Sequence, residues 1–497
     1  MIFSRQVWFT KLQPAIQILL ILVVALFSQL YKLGDMPYRL WDEARLAHNA
    51  YEMAHSSNII VTTMHGQPDT WNSKPPLMIW AQAICIKVNG LNEISTRLPA
   101  ALSAILCIVM IAAFVYHITQ SGWTAVLAAF VLSSSIGYIG YHGTRYGEFD
   151  SMLALFTTAY LLAYFLYLEN EGPKANRYLL AFFVCLSLAV LTKSVAGLLF
   201  TPALFVYTIA RGKLAATLSK KRFYLGVLFF IGLVGTYYLL REQYNPGYLQ
   251  AVYENELGGR YMKVNEEHTG PWTYYWAFIK WSGFGAWFWA LPVSILVFIL
   301  SSKGVFKRAI SFLWLASFVF IVVISSSATK LEWYCLPVFP LLAIVASLTV
   351  LGIARLLAAF VNLNVQTVVI VLAAIFSLQP AKELYLHLKY IGDDLSSDKH
   401  YALSYYLRDA LNGKRDLKYA TFLYYGYYSE HSLYILALND KGQNIKQAYN
   451  TGDVHFTAGQ KVFVIDDASE QYIEKNYKTE LLEEFYGVKL FVIGNTN

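Results

Sequence analysis

Apolar runs long enough to cross a bilayer recur along this chain to about residue 380, and no other feature constrains its fold so strongly. A spanning helix needs about 20 mostly apolar residues, because hydrocarbon offers no water to satisfy exposed backbone groups. Candidate spans run from about Pro14 to Tyr31, Leu98 to Ile118, Trp123 to Tyr141, Ser151 to Leu168, Phe223 to Leu240, Tyr274 to Leu300, Ile310 to Ser326, Leu336 to Ile353 and Val365 to Leu378. The stretch Tyr178–Ala210 reads as one long span, or as two short ones broken around Thr192-Lys193-Ser194. Composition agrees with a lipid environment: 57% of the 497 residues are hydrophobic and 14% charged, against roughly 25% charged in soluble domains.

Loop charge decides the topology. With Arg5 and Lys11 inside, two short spans across Tyr178–Ala210 put Arg211, Lys213, Lys220, Lys221 and Arg222 in the cytoplasm, and Lys303, Lys307 and Arg308 follow on that side. One long span would put the first cluster outside. The prediction is about eleven spans, with Lys193 near the outer face and an extracytoplasmic C-terminal region. The net charge of +7 resides largely in these loops and calls for no nucleic-acid partner. Cys85, Cys107, Cys185 and Cys335 fall in or beside apolar runs without pairing or ligand spacing, so neither a disulfide framework nor a zinc site is indicated. The first run lacks a small-residue cleavage site and reads as a retained helix.

Three segments are too polar to span and belong outside: Gly34–Thr96, Arg241–Thr273 and the region after Pro380. Within the first, Pro75–Val88 and the amphipathic stretch Ala44–His55 should lie in the membrane interface. The fold class expected is an all-α polytopic membrane domain, residues 1–380, followed by a small α/β domain, residues 381–497. In the latter, Lys418–Tyr425, Ser432–Leu438, Lys461–Asp466 and Val488–Gly494 read as strands, and Tyr401–Leu411 and Ala468–Asn476 as helices.

Several outer-face residues could carry chemistry. Asp42 and Glu43 open the Ala44–His55 helix, where Asp42 would cap and Glu43 would favour the dipole; a carboxylate held in this way could also accept a proton from a hydroxyl. Arg145 and Asp150 share a short loop with His142 and Glu148, and are either paired charges or part of a cleft. Lys74 precedes Pro75-Pro76 at a helix start, where two positive features converge, which suits an anion such as phosphate or a lipid headgroup. Ser325–Pro337 is a polar turn with Lys330 and Tyr334, and the loop 258–268 adds Arg260 and His268.

In order, Asp42-Glu43, Lys74-Pro75-Pro76-Leu77, Asn92-Glu93 with Arg97-Leu98-Pro99, Asp150, Leu191-Thr192-Lys193, Glu267-His268 with Pro271 and Tyr274-Tyr275, and Lys330-Leu331 with Tyr334 and Leu336-Pro337 resemble the GT-C membrane glycosyltransferases of the ArnT and protein O-mannosyltransferase type. The resemblance covers roughly Leu33 to Leu342. It implies transfer of a sugar, with inversion, from a polyprenyl-phosphate donor to an acceptor at the outer face of the inner membrane. Lipid A or another envelope glycolipid is the acceptor first implied; a protein is the alternative. Asp42 would be the base, Glu43 and Asp150 the supporting acids, and Lys74, Arg260, Lys330 and Tyr334 the phosphate contacts. Arg45, Arg145 and His268 would line the rest of the cleft. A donor with one phosphate makes little demand for a divalent metal. Two departures stand out: Ser73 replaces the acidic residue that precedes the lysine in ArnT-type members, which weakens a metal bridge to His268, and Ser194 replaces the glycine that often follows the Thr-Lys pair. A transporter or lipid flippase is the rival of another class, disfavoured because the charges gather at outer ends and the two halves do not match.

Overall fold

With no water in the bilayer core, each apolar run closes its hydrogen bonds within itself, and in the computed structural model all eleven expected spans are helical over most of their length. The structure describes residues 2–38, 42–259, 261–264, 267–391, 393, 395–398, 401–426 and 429–496. Among them, eight helices are long and apolar enough to cross a membrane. Three shorter apolar helices, Gly122–Ser133, Thr201–Ala210 and Gly285–Leu300, stand where the other three spans are expected. This is a multi-pass membrane protein.

The chain divides into two compact units: Met1–Tyr31, Ser56–Ala81 and Arg97–Lys389 form one, and Lys32–His55, Gln82–Thr96 and Tyr390–Asn497 the other. The boundary expected at 381 falls inside the helix Val365–Lys389, which continues through Pro380.

In the first unit the centre is Phe339–Val361, continuous with a 3₁₀ turn from Glu332 and buried over most of its length. Lipid is as apolar as leucine, so such helices associate through close packing, and small residues permit it. Ala343, Ala346, Ser347, Gly352 and Ala354 on this helix are buried, and a Cβ at Gly352 would stand 2.2 Å from Val297 Cγ1. The opposite extreme is Lys221–Tyr244, which buries little, with Leu225, Leu228, Ile231 and Leu239 exposed. Proline sits in the first turn of Gly172–Lys193, Thr201–Ala210 and Phe339–Val361, where its missing N–H costs nothing.

One expectation changes here and one holds. The span Tyr274–Leu300 is not one helix but four short pieces ending in Ala290–Leu300. Gly285 breaks it with φ +54, and Gly283 allows the backbone to approach Phe339, whose Cζ would lie 2.7 Å from a Cβ there. The stretch Tyr178–Ala210 is broken at the expected place: Gly172–Lys193 ends, Ser194–Leu198 makes a 3₁₀ turn, and Thr201–Ala210 returns.

In the second unit, five strands order as Lys446–Tyr449, Thr421–Tyr424, Lys461–Val464, Val488–Thr496 and Tyr477–Phe485. The first three are parallel, and the last two form an antiparallel hairpin. Helices Ala402–Leu411 and Asp467–Asn476 lie where predicted. Ser432–Leu438, predicted as a strand, belongs to the helix Ser429–Asp440. Leu433, Tyr434, Ile435, Ala437 and Leu438 are all buried, and a short run that is apolar on every side carries no period to tell the two apart. The strands Lys446–Tyr449 and Tyr477–Phe485 were not anticipated; their residues are mostly polar and partly exposed.

The helix Asp42–His55 also belongs to this unit. Ten of its 14 residues are buried, and it packs against Ser429–Asp440. Ala44, Ala47, Ala50 and Ala54 leave room for that approach.

Candidate active site

The helices Asp150–Glu169 and Gly172–Lys193 form a hairpin of nearly equal arms, 20 and 22 residues, joined by a two-residue turn. Equal arms bring the end of the second back beside the start of the first. Asp150 therefore opens one helix at its positive dipole end, and Lys193 closes the next at its negative end, each charge where the helix favours it. Lys193 Nζ lies 2.6 and 2.7 Å from the two carboxylate oxygens of Asp150. The side chains are only 11% and 4% exposed. The turn that frees Lys193 is tight: Ser194 has φ +49 and ψ −135, and a Cβ at Gly197 would stand 2.6 Å from the backbone of Ala189.

A second acid–base pair faces the same space. Asp69 Oδ1 accepts from the backbone N–H of Trp71 and Asn72, at 3.1 and 3.3 Å, turning the chain ahead of Lys74. Lys74 Nζ is 3.6 Å from Glu256 Oε1 and stands over the rings of Trp71 and Phe149. The Ser73 hydroxyl donates to the same Glu256 oxygen at 3.0 Å.

The segment 241–256 is strapped along this loop. Arg241, fully buried, donates to Ile60 O at 2.8 Å and to Thr62 Oγ1 at 3.0 Å. Tyr248 donates to Ser73 O at 2.8 Å, and Asn255 to Thr70 O at 3.1 Å. Burial, with Tyr237 and Tyr238 alongside, pushes the Tyr248 phenol well above its ordinary range, so it stays a neutral donor.

The two pairs line one open cavity of about 120 Å³. Lys74, Lys193, Asp150, Glu256, Tyr261, Ser327 and Tyr334 supply its polar groups. Leu153, Val195, Ala196, Leu199, Phe320, Val323, Ile324 and Pro337 supply an apolar wall. Tyr334 is set by the 3₁₀ turn Glu332–Val338, and its ring lies 5.5 Å from Lys193 Nζ. The loop 261–268 and the turn 325–330 are bonded together: Tyr261 and Ser326 hydroxyls lie 2.7 Å apart, Ala328 N–H donates to Tyr261 O, and Thr329 donates to Lys263 O.

Of the residues singled out in the sequence, Lys74, Asp150 and Tyr334 meet in this cavity. Lys330 is buried beside it in sequence, its ammonium donating to Ser327 O at 2.6 Å, and its backbone N–H donates to His268 O at 3.0 Å. His268 is exposed. The Arg145 guanidinium donates to Ser28 O at 2.6 Å and to Tyr31 O, at the end of the first helix. Arg260 lies outside the described residues. Asp42, Glu43 and Arg45 stand in the second unit on the helix Asp42–His55, with Asp42 half-buried and Glu43 2% exposed. Two charged residues of the cavity, Lys193 and Glu256, have no role assigned from the sequence. Glu256 sits in a polar loop with nothing around it to single it out, whereas Lys193 was legible as a charge closing the second arm of an equal-armed hairpin.

Residues 73–238 match the family described as dolichyl-phosphate-mannose-protein mannosyltransferase. A protein of Aquifex aeolicus is 27% identical over 337 residues, 66% of this chain and 63% of its own length. An undecaprenyl phosphate-alpha-4-amino-4-deoxy-L-arabinose arabinosyl transferase of Pseudomonas fluorescens is 26% identical over 389 residues, 75% of this chain and 64% of its own. The matches thus span less than two thirds of these relatives. Among solved structures, ArnT from Cupriavidus metallidurans bound to undecaprenyl phosphate superposes with a TM-score of 0.72 at 17% identity, over 95% of this chain and 97% of that one. The Archaeoglobus fulgidus oligosaccharyltransferase gives 0.56 at 11% identity, over 95% and 74%. The chain has the GT-C fold of the ArnT structures, with a small C-terminal sheet domain.

Proposed function

On this ArnT-like scaffold, we propose that the chain is a membrane glycosyltransferase that takes a sugar from a polyprenyl-phosphate donor. The observation that carries the reading is the cavity in which two lysines and a tyrosine stand at the polar part of an otherwise apolar wall. A polyprenyl phosphate has that same division, an anionic head on a long apolar tail. Lys74 and Lys193, with the Tyr334 hydroxyl, would take the phosphate oxygens, and the wall from Leu153 to Ile324 would take isoprene units.

The acceptor hydroxyl attacks the anomeric carbon from the face opposite the phosphate, and the C–O bond to phosphate breaks with inversion. The leaving phosphate needs no proton, but its growing charge needs cations. Asp42 is the proposed base that takes the hydroxyl proton late in the attack, with Glu43 and Asp150 as supporting acids. Arg260 and Lys330 are the further cations proposed for the phosphate, and Arg45, Arg145 and His268 the remaining cleft residues. Lysines carry the charge balance in this scheme, so no metal is assigned a step.

The acceptor we propose is lipid A or another envelope glycolipid, at the periplasmic face of the inner membrane. Likeness to the arabinosyl transferase over 75% of the chain, and to the ArnT fold over 95%, supports it. Protein O-mannosylation is the second reading, favoured by the family match over residues 73–238. Purified protein given labelled polyprenyl-phosphate sugar with lipid and protein acceptors decides between them. Label in lipid supports the first reading, label in protein alone overturns it, and an intact donor with lipid moved across liposomes would make the chain a flippase.

A further inference from the structure

We propose that Glu256 is an exchangeable counter-ion for Lys74, which yields the lysine to an incoming lipid phosphate and takes it back when that phosphate leaves. The inference rests on the donor reading above and adds to it a residue on neither the family motif nor the list of cations.

Three features single out Glu256. It reaches a carboxylate to Lys74 at 3.6 Å, too long for a tight salt bridge and short enough to hold the ammonium in place. The same oxygen accepts from the Ser73 hydroxyl at 3.0 Å, so the neighbour of Lys74 in sequence secures the carboxylate as well. Both partners are about nine-tenths buried, at 9% and 10% side-chain exposure, and both line the cavity. An ammonium so buried without a counter-charge would be costly. Ser73, where an acid was anticipated, thus does not leave the lysine uncompensated: the acid comes from another loop, fixed by Arg241, Tyr248 and Asn255.

The two acid–base pairs of the cavity differ in grip. Asp150 holds Lys193 with both oxygens at 2.6 and 2.7 Å, whereas Glu256 holds Lys74 through one oxygen at 3.6 Å. A lipid phosphate that competes for a lysine displaces the looser carboxylate. Lys193 keeps its orientation and Lys74 changes partner.

This exchange predicts an unusual sign. Removing the charge of Glu256 takes away the competitor, so Glu256→Gln should bind undecaprenyl phosphate about tenfold more tightly. A residue that only props the loop would weaken binding when changed. Undecaprenyl phosphate in detergent micelles is titrated into the full-length protein and followed by tryptophan fluorescence. Glu256→Asp, which keeps the charge but shortens its reach to Lys74, should gain less than Glu256→Gln, and melting curves of all three show whether each is folded. In turnover, Glu256→Gln should be inhibited more strongly by undecaprenyl phosphate, with kcat and the KM for the donor both falling. Equal or weaker binding by Glu256→Gln, or the same gain in Glu256→Asp, overturns the exchange. Failure of the unmodified chain to bind undecaprenyl phosphate at all would instead remove the donor reading, and the exchange with it.

Discussion

Lys193 and Asp150 owe their meeting to the hairpin that carries them, and their value to its burial. Breaking such a pair by removing one partner leaves an uncompensated charge, which costs about 3–5 kcal/mol. Lys193→Ala should therefore lower both thermal stability and donor binding, while Asp150→Asn should misplace Lys193 and lower turnover with a smaller loss of fold; melting curves and donor titrations separate the two. Lys74→Ala should mainly weaken the donor response, and an unchanged response would remove Lys74 from the phosphate site. Asp42→Asn should cut transfer about 10²–10⁴-fold while donor still binds; near-normal turnover would remove Asp42 as the base. A residue outside the membrane spans gives a pH test. Glu430 in the C-terminal unit is buried with Oε2 unpartnered, and burial pushes its carboxyl up to about 8. Its folded form holds a proton that the unfolded form releases near pH 4.5, so stability is full below that pH and falls as pH rises to about 8. Melting temperatures between pH 5 and 8 should drop for the unmodified chain, and Glu430→Gln should flatten the curve.

At the level of elements, the break after Lys193 shows what one residue in an awkward conformation can hold in place. Ser194 occupies a backbone region that glycine enters freely and other residues enter at a cost of about 1–2 kcal/mol. Part of that cost is offset by the Tyr238 hydroxyl, which donates to Ser194 Oγ at 3.0 Å. Ser194→Gly should keep or slightly raise the melting temperature, and Ser194→Val should lower it and reduce donor binding through a displaced Lys193. The same break was legible from loop charge, because a single span there would have reversed the basic loops that follow. Boundaries and short elements were less legible. Ser432–Leu438 is apolar all round and so has no readable period, and Tyr274–Leu300 is divided by close approach to Phe339, which lies far away in sequence. The burial of Asp42–His55 likewise depends on its packing with Ser429–Asp440, a contact between segments nearly 400 residues apart.

For the whole molecule, the apolar helices follow from hydropathy, which acts locally and is therefore visible in sequence; their direction is the one the basic loops lead us to expect. The cavity is harder to read, because its polar groups come from five separate stretches and only their ordered set carries meaning. Lys74, Asp150 and Tyr334 were recovered in that way, and Glu256 was not, since its role depends on where a loop folds. Topology itself is open to test: a cysteine placed in the region Lys418–Asn497 should react with an impermeant reagent added from outside, and labelling only from the cytoplasmic side would break the eleven-span arrangement. The apolar wall from Leu153 to Ile324 has a consequence for measurement. A molecule with a tail suited to that wall dissolves in the bilayer before it meets the protein, so the two search for each other in a plane. Its effective concentration is then a mole fraction among lipids. Diluting the donor with inert lipid at fixed bulk concentration should slow the reaction, and adding buffer should not.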